Sequence, residues 1–131
     1  MRKSLSKSIY IIDDDDSVRR ALSRLLDSLG FEVSTFGSAQ AFLNSLIKNN
    51  PSCVILDVHM PEMDGLELQR QLKKNGRHFP IIFITAYARD GDCDLAFSQG
   101  AVGFLTKPFA EEKLIELIQV ALDVEILPET K

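Results

Sequence analysis

Five short runs, "SIYIID", "FEVSTF", "SCVILDV", "PIIFIT" and "AVGFLT", are rich in apolar and β-branched residues, and four longer stretches separate them. Each run is about five residues of strand, and each gap is long enough for a helix. Strands that alternate with helices pair in parallel through crossover connections, and a parallel sheet has to be covered on both faces. The runs "IYII", "VIL" and "IIFI" lack the in-out alternation of a half-exposed sheet, as expected of central strands buried on both sides. The pattern predicts a doubly wound α/β domain with a five-stranded parallel sheet and helices on both faces.

The gaps carry helical signals. Val18, Leu22, Leu25, Leu26 and Leu29 share one face of a first helix, which Gly30 stops. Ser38 is placed to cap a second helix carrying Phe42, Leu43, Leu46 and Ile47, with Asn50-Pro51 as its end. "GLELQRQLKKNG" reads as a third helix ending at Gly76, and "DCDLAFSQG" as a fourth with Cys93, Ala96 and Phe97 inward and Leu95 off that stripe. A last helix after Pro108 turns Leu114, Leu117, Ile118, Ala121 and Leu122 inward. There is no internal repeat.

Composition narrows the function. With 131 residues, 45% of them hydrophobic, the chain fits one globular domain with its own core. A net charge of −4 provides no general basic surface for nucleic acid or anionic membrane. No apolar run approaches the length of a membrane span, and "MRKSLSKSIY" lacks the features of a signal peptide, so the reading is cytoplasmic. Cys53 and Cys93 are single and far apart, which suits core or helix residues rather than a disulfide or a zinc site.

In open parallel sheets, chemistry gathers at the carboxyl ends of the strands. Asp13 and Asp14 follow the first strand, Asp57 the third, Thr85 the fourth and Lys107-Pro108 the fifth. Taken alone, each has an ordinary reading. An aspartate run at a helix start is commonly a solvated cluster favoured by the helix dipole, and that reading is kept for Asp15 and Asp16. A lone Asp after a strand is commonly a turn or cap residue. The conjunction in this order carries the message.

Three carboxylates, a hydroxyl and an ammonium at one sheet edge suit phosphoryl transfer to a carboxylate. Hard oxygen ligands favour Mg²⁺ or Mn²⁺, and Asp57 is placed as the nucleophile. The three aspartates bring about −3 charges against about +3 from the cation and Lys107, so the site is nearly balanced before transfer.

"IIDDDDSVR", "VILDVHMPEMDG", "FITAYA" and "GAVGFLTKPF" resemble the receiver domain of two-component response regulators over nearly the whole chain. Within that family, "GFEVSTFGSAQAFL" and "GAVGFLTKPF" look most like the FixJ-like group. The resemblance implies a flavodoxin-like sheet of order 2-1-3-4-5, with a receiver domain over residues 1-125 and a tail or linker start over 126-131. It implies Asp57 as phospho-acceptor, Asp14 as direct metal ligand, Asp13 as a partner through metal-bound water, and the backbone carbonyl of His59 as a further ligand. Thr85 and Lys107 match the residues that contact the phosphoryl group, and Phe104 the aromatic whose rotamer follows Thr85. The Lys107-Pro108 bond is expected to be cis. The side chains of His59 and Tyr87 are expected to overhang the acceptor and limit the approach of water.

The implied partners are a sensor histidine kinase and, after phosphorylation, a second copy docking through the fourth helix and fifth strand, with Leu95 contributing. DNA would be reached only through a C-terminal domain that "ALDVEILPETK" stops short of. The implied output is transcription control, and the chain is not a conventional enzyme. Two alternatives stand: a stand-alone single-domain regulator, and a Mg²⁺-dependent phosphohydrolase with an aspartate nucleophile. The phosphohydrolase is disfavoured because His59 stands where haloacid-dehalogenase-like phosphatases have a second aspartate. A flavodoxin-like cofactor binder is rejected, because four aspartates occupy the place of its phosphate loop.

Overall fold

The computed structural model describes residues 7–46 and 51–122. The expectations for Ile47, Asn50 and the segment after Leu122 lie outside them. The strands are β1 (Ser8–Ile12), β2 (Glu32–Phe36), β3 (Cys53–Asp57), β4 (Ile81–Thr85) and β5 (Gly103–Thr106). The helices are α1 (Asp16–Ser28), α2 (Ala39–Ser45), α3 (Gly65–Lys74), α4 (Asp92–Ser98) and α5 (Glu111–Leu122). All strand pairs are parallel and the order is β2-β1-β3-β4-β5, the flavodoxin-like arrangement.

The continuous apolar runs are explained by two cores. Ile9, Ile11, Cys53, Ile55, Ile82 and Ile84 face Leu22 and Leu26 of α1 and Leu114 and Ile118 of α5. The alternate residues Tyr10, Ile12, Val54, Leu56, Ile81 and Phe83 face α2, α3 and α4. Neither face of β1, β3 or β4 needs polar residues, since helices cover both. β2, at the sheet edge, is more exposed.

Each helix start follows local chemistry. Asp15 caps α1 by accepting from the amides of Ser17 and Val18, and Ser38 caps α2 through the Ala41 amide. Asp16, in the first turn of α1, pairs with Arg19 and Arg20. Gly30, at φ 94°, closes α1 in a conformation that side-chain-bearing residues rarely adopt. Leu29, expected on the buried face, is exposed, because α1 has already ended there.

α4 departs from its expected packing. Of Cys93, Ala96 and Phe97, only Ala96 is buried; Cys93 is exposed and Phe97 is 47% exposed. The inward row is Asp92, Ala96 and Gln99, and its polar members are satisfied by neighbours rather than by apolar contact. Gln99 donates to the Gln69 side chain at 2.6 Å, and buried Gln69 donates to the Ala96 carbonyl at 3.0 Å. Leu95, placed off the stripe, is 45% exposed beside Phe97.

Candidate functional site

The carboxyl ends of β1, β3, β4 and β5 converge on an open cavity of about 310 Å³, lined among others by Asp13, Asp14, Asp57, His59, Thr85, Tyr87, Arg89 and Lys107. Asp13 is fully buried, Asp57 is 5% exposed and Asp14 lies in the open. Carboxylate oxygens of the three approach within 4.8 Å of one another.

Burying Asp13 requires compensation. Its Oδ2 accepts from Lys107 Nζ at 2.8 Å, and its Oδ1 from the Asp15 amide at 2.8 Å. Lys107 is itself fixed to the neighbouring strand, its amide donating to the Thr85 carbonyl at 2.7 Å. The Lys107-Pro108 peptide is cis, as expected.

Asp57 ends β3, and the following turn packs tightly behind it. A Cβ on Gly65 would lie 2.2 Å from the Asp57 carbonyl oxygen, so only glycine lets α3 begin there. The Gly65 amide donates to the Val58 carbonyl at 2.7 Å, and Glu62 turns the chain at φ 71°. Burial, and then the charge of Asp13, push the Asp57 carboxyl up to about 7; Lys107 opposes this and Asp14 adds to it. The half-buried Lys107 alone cannot balance three clustered carboxylates, and Lys107 together with a divalent cation would. The donor set suits a hard ion. Among the described residues the His59 carbonyl takes no backbone hydrogen bond, which leaves it available as a further oxygen ligand.

Thr85 is buried with its hydroxyl turned to the following loop, donating to the Tyr87 carbonyl at 2.9 Å and accepting from the Tyr87 amide at 3.2 Å. Phe104 is half-buried against Phe83, with ring centroids 6.1 Å apart. His59 and Tyr87 flank the cavity with rings 6.5 Å apart. His59 Nε2 lies 3.2 Å from Asp92 Oδ2, out of line for a hydrogen bond, while that oxygen accepts from the Arg89 amide.

All five residues placed at strand ends by the sequence therefore meet at one edge with His59 beside them, while Phe104 lies on β5 against Phe83 and does not line the cavity. Three contributors were missed. Arg19 donates to the Asp13 carbonyl, Arg89 lines the cavity from the loop before α4, and Asp92 lies against His59. The partners of Arg19 and Asp92 include backbone groups brought close by folding, which no residue spacing announces.

A family model for the response regulator receiver domain matches residues 9–119. The chain is 50% identical over 114 residues to the response regulator protein TodT of Pseudomonas putida, covering 87% of this chain and 50% of TodT. It is 44% identical over 117 residues to the transcriptional regulatory protein FixJ of Bradyrhizobium diazoefficiens, covering 87% and 56% of the two chains. The crystal structure of FixJ-N superposes with a TM-score of 0.83 at 33% identity, covering 92% of this chain and 97% of that one. The chain thus spans about half the length of these full-length relatives. The fold, the strand-end cluster and these likenesses agree: this chain belongs to the response regulator receiver domain family.

Proposed function

We propose that this domain takes a phosphoryl group from a sensor histidine kinase onto Asp57 and uses the change to alter its contacts with other proteins. The observation that carries this reading is the cluster itself: three carboxylates within 4.8 Å, one of them fully buried and paired to Lys107 at 2.8 Å. Asp13, Asp14, Asp57 and the His59 carbonyl would hold Mg²⁺ or Mn²⁺. When bound, that ion neutralises charge on the transferring group.

The chain's own residues supply the rest. A carboxylate oxygen of Asp57 attacks phosphorus as the bond to the donor histidine breaks, and that nitrogen keeps the bonding electrons. Lys107, anchored between Asp13 and the β4 backbone, presents its ammonium to the arriving oxygens. The Thr85 hydroxyl donates a hydrogen bond to the Tyr87 carbonyl in this structure, so contact with a phosphoryl oxygen requires it to leave the loop carbonyl. That motion frees space beside Phe104 and shifts the balance between two loop arrangements.

The output surface is the face of α4 and β5, where Leu95 and Phe97 are exposed, and the reading is a second copy docking there after phosphorylation. Control of transcription, the role in the name of the relative FixJ, would pass through a separate DNA-binding domain, and a stand-alone regulator is the alternative. Among the described residues no helix is long and apolar enough to cross a membrane, and a cytoplasmic setting suits a kinase partner. Intact-mass measurement with a small acyl phosphate, in Mg²⁺ and in EDTA, tests the reading. It predicts one added phosphoryl group in Mg²⁺ alone; steady turnover of unrelated phosphomonoesters would favour a phosphohydrolase instead.

A further inference from the structure

We infer that Arg19 is a positioning residue of the divalent-cation site, gripping the backbone that carries Asp14. This deepens the reading of the acidic cluster given above and rests on it. Asp13 is held through its side chain by Lys107 and the Asp15 amide. Asp14 has no such hold: among the described residues its carboxylate takes no hydrogen bond, so only its backbone fixes where it points.

That backbone is anchored by Arg19. Its Nη1 donates to the Asp13 carbonyl at 2.6 Å, and its Nη2 bonds Asp16 Oδ1 at 2.9 Å. The Asp13-Asp14 peptide is planar, so fixing the carbonyl oxygen fixes the direction in which the chain enters Asp14. On the other side the Asp13 amide donates to the Phe36 carbonyl at 3.1 Å. The guanidinium is mostly buried, its side chain 20% exposed, and the loop after β2 makes room for it. A Cβ on Gly37 would lie 3.2 Å from Nη1, and Gly37 has no positive φ, so space rather than backbone conformation favours glycine there.

Charge and position predict opposite effects, which makes the inference testable. Arg19 is a cation beside a cation site, so removing its charge alone should tighten Mg²⁺ binding. Removing its grip should loosen Asp14 and weaken binding, by about tenfold if the effect matches that of other residues orienting metal ligands. Arg20 is the control, since it also pairs with Asp16 and makes no contact with the Asp13 carbonyl.

Mg²⁺ affinity is measured by calorimetry on the whole chain for wild type, Arg19→Ala, Arg19→Lys, Gly37→Ala and Arg20→Ala, with metal-free melting recorded for each. The expected result is about tenfold weaker binding in Arg19→Ala, partial rescue in Arg19→Lys, a smaller loss in Gly37→Ala and no loss in Arg20→Ala. Should Arg19→Ala fail to fold, Arg19→Lys and Gly37→Ala carry the test. Wild-type affinity or tighter in the Arg19 and Gly37 variants, even with lowered melting temperatures, would make Arg19 merely structural and overturn the inference. Absence of Mg²⁺ binding in wild type would instead remove the reading of the cluster on which it rests.

Discussion

Asp57→Asn should make the metal-free protein more stable at neutral pH, although it removes the proposed acceptor. The Asp57 carboxyl rises from 3.8 in the unfolded chain to about 7 in the fold, chiefly through burial and the neighbouring Asp13. A carboxyl whose folded value is raised contributes its full stability below the unfolded value and loses it as pH rises through the folded one. The full shift corresponds to roughly 4 kcal/mol, and more than half of it falls between about pH 5 and pH 8. Urea unfolding in EDTA at those two pH values measures it. Wild type should lose that much more stability than Asp57→Asn over the interval, and saturating Mg²⁺ should abolish the difference by neutralising the cluster. Parallel losses in the two proteins would refute the argument that burial and Asp13 hold the carboxyl up.

Gly65→Ala should cost roughly 3 kcal/mol in urea unfolding, because its Cβ would meet the Asp57 backbone, which cannot yield as a side chain would. His59→Ala and Tyr87→Ala should each speed loss of the phosphoryl group severalfold by opening the cavity to water; rates equal to wild type in both would remove that role. Leu95→Glu should suppress self-association of the phosphorylated domain in analytical ultracentrifugation while leaving phosphorylation intact, and unchanged association would count against the α4 face.

The sheet and the site were legible because both rest on patterns that sequence carries directly. Continuous apolar strands demand cover on both faces, and residues following such strands must share an edge. Asp13, Asp14, Asp57, Thr85 and Lys107 could therefore be grouped across 94 positions of sequence. The division of the aspartate run was legible too, since Asp15 caps α1 and Asp16 pairs along it. α4 was not legible. A seven-residue helix with one buried position offers little periodicity to read, and its inward row is held by the amides of Gln69 and Gln99. Apolar Phe97 is left outward, against the usual inference from hydrophobicity, while Leu95 lies off the inward row as its spacing predicts.

On the proposed function, the strand-end cluster directs a phosphoryl group to one carboxylate. Borohydride reduces an aspartyl phosphate to homoserine, so protein treated with an acyl phosphate and Mg²⁺ can be reduced, digested and read residue by residue in a mass spectrometer. Homoserine is expected at position 57 alone, dependent on Mg²⁺ and lost in Asp57→Asn. Conversion at Asp13, Asp14 or Asp64, or a stable phosphate on a serine or threonine with position 57 unmodified, would contradict it.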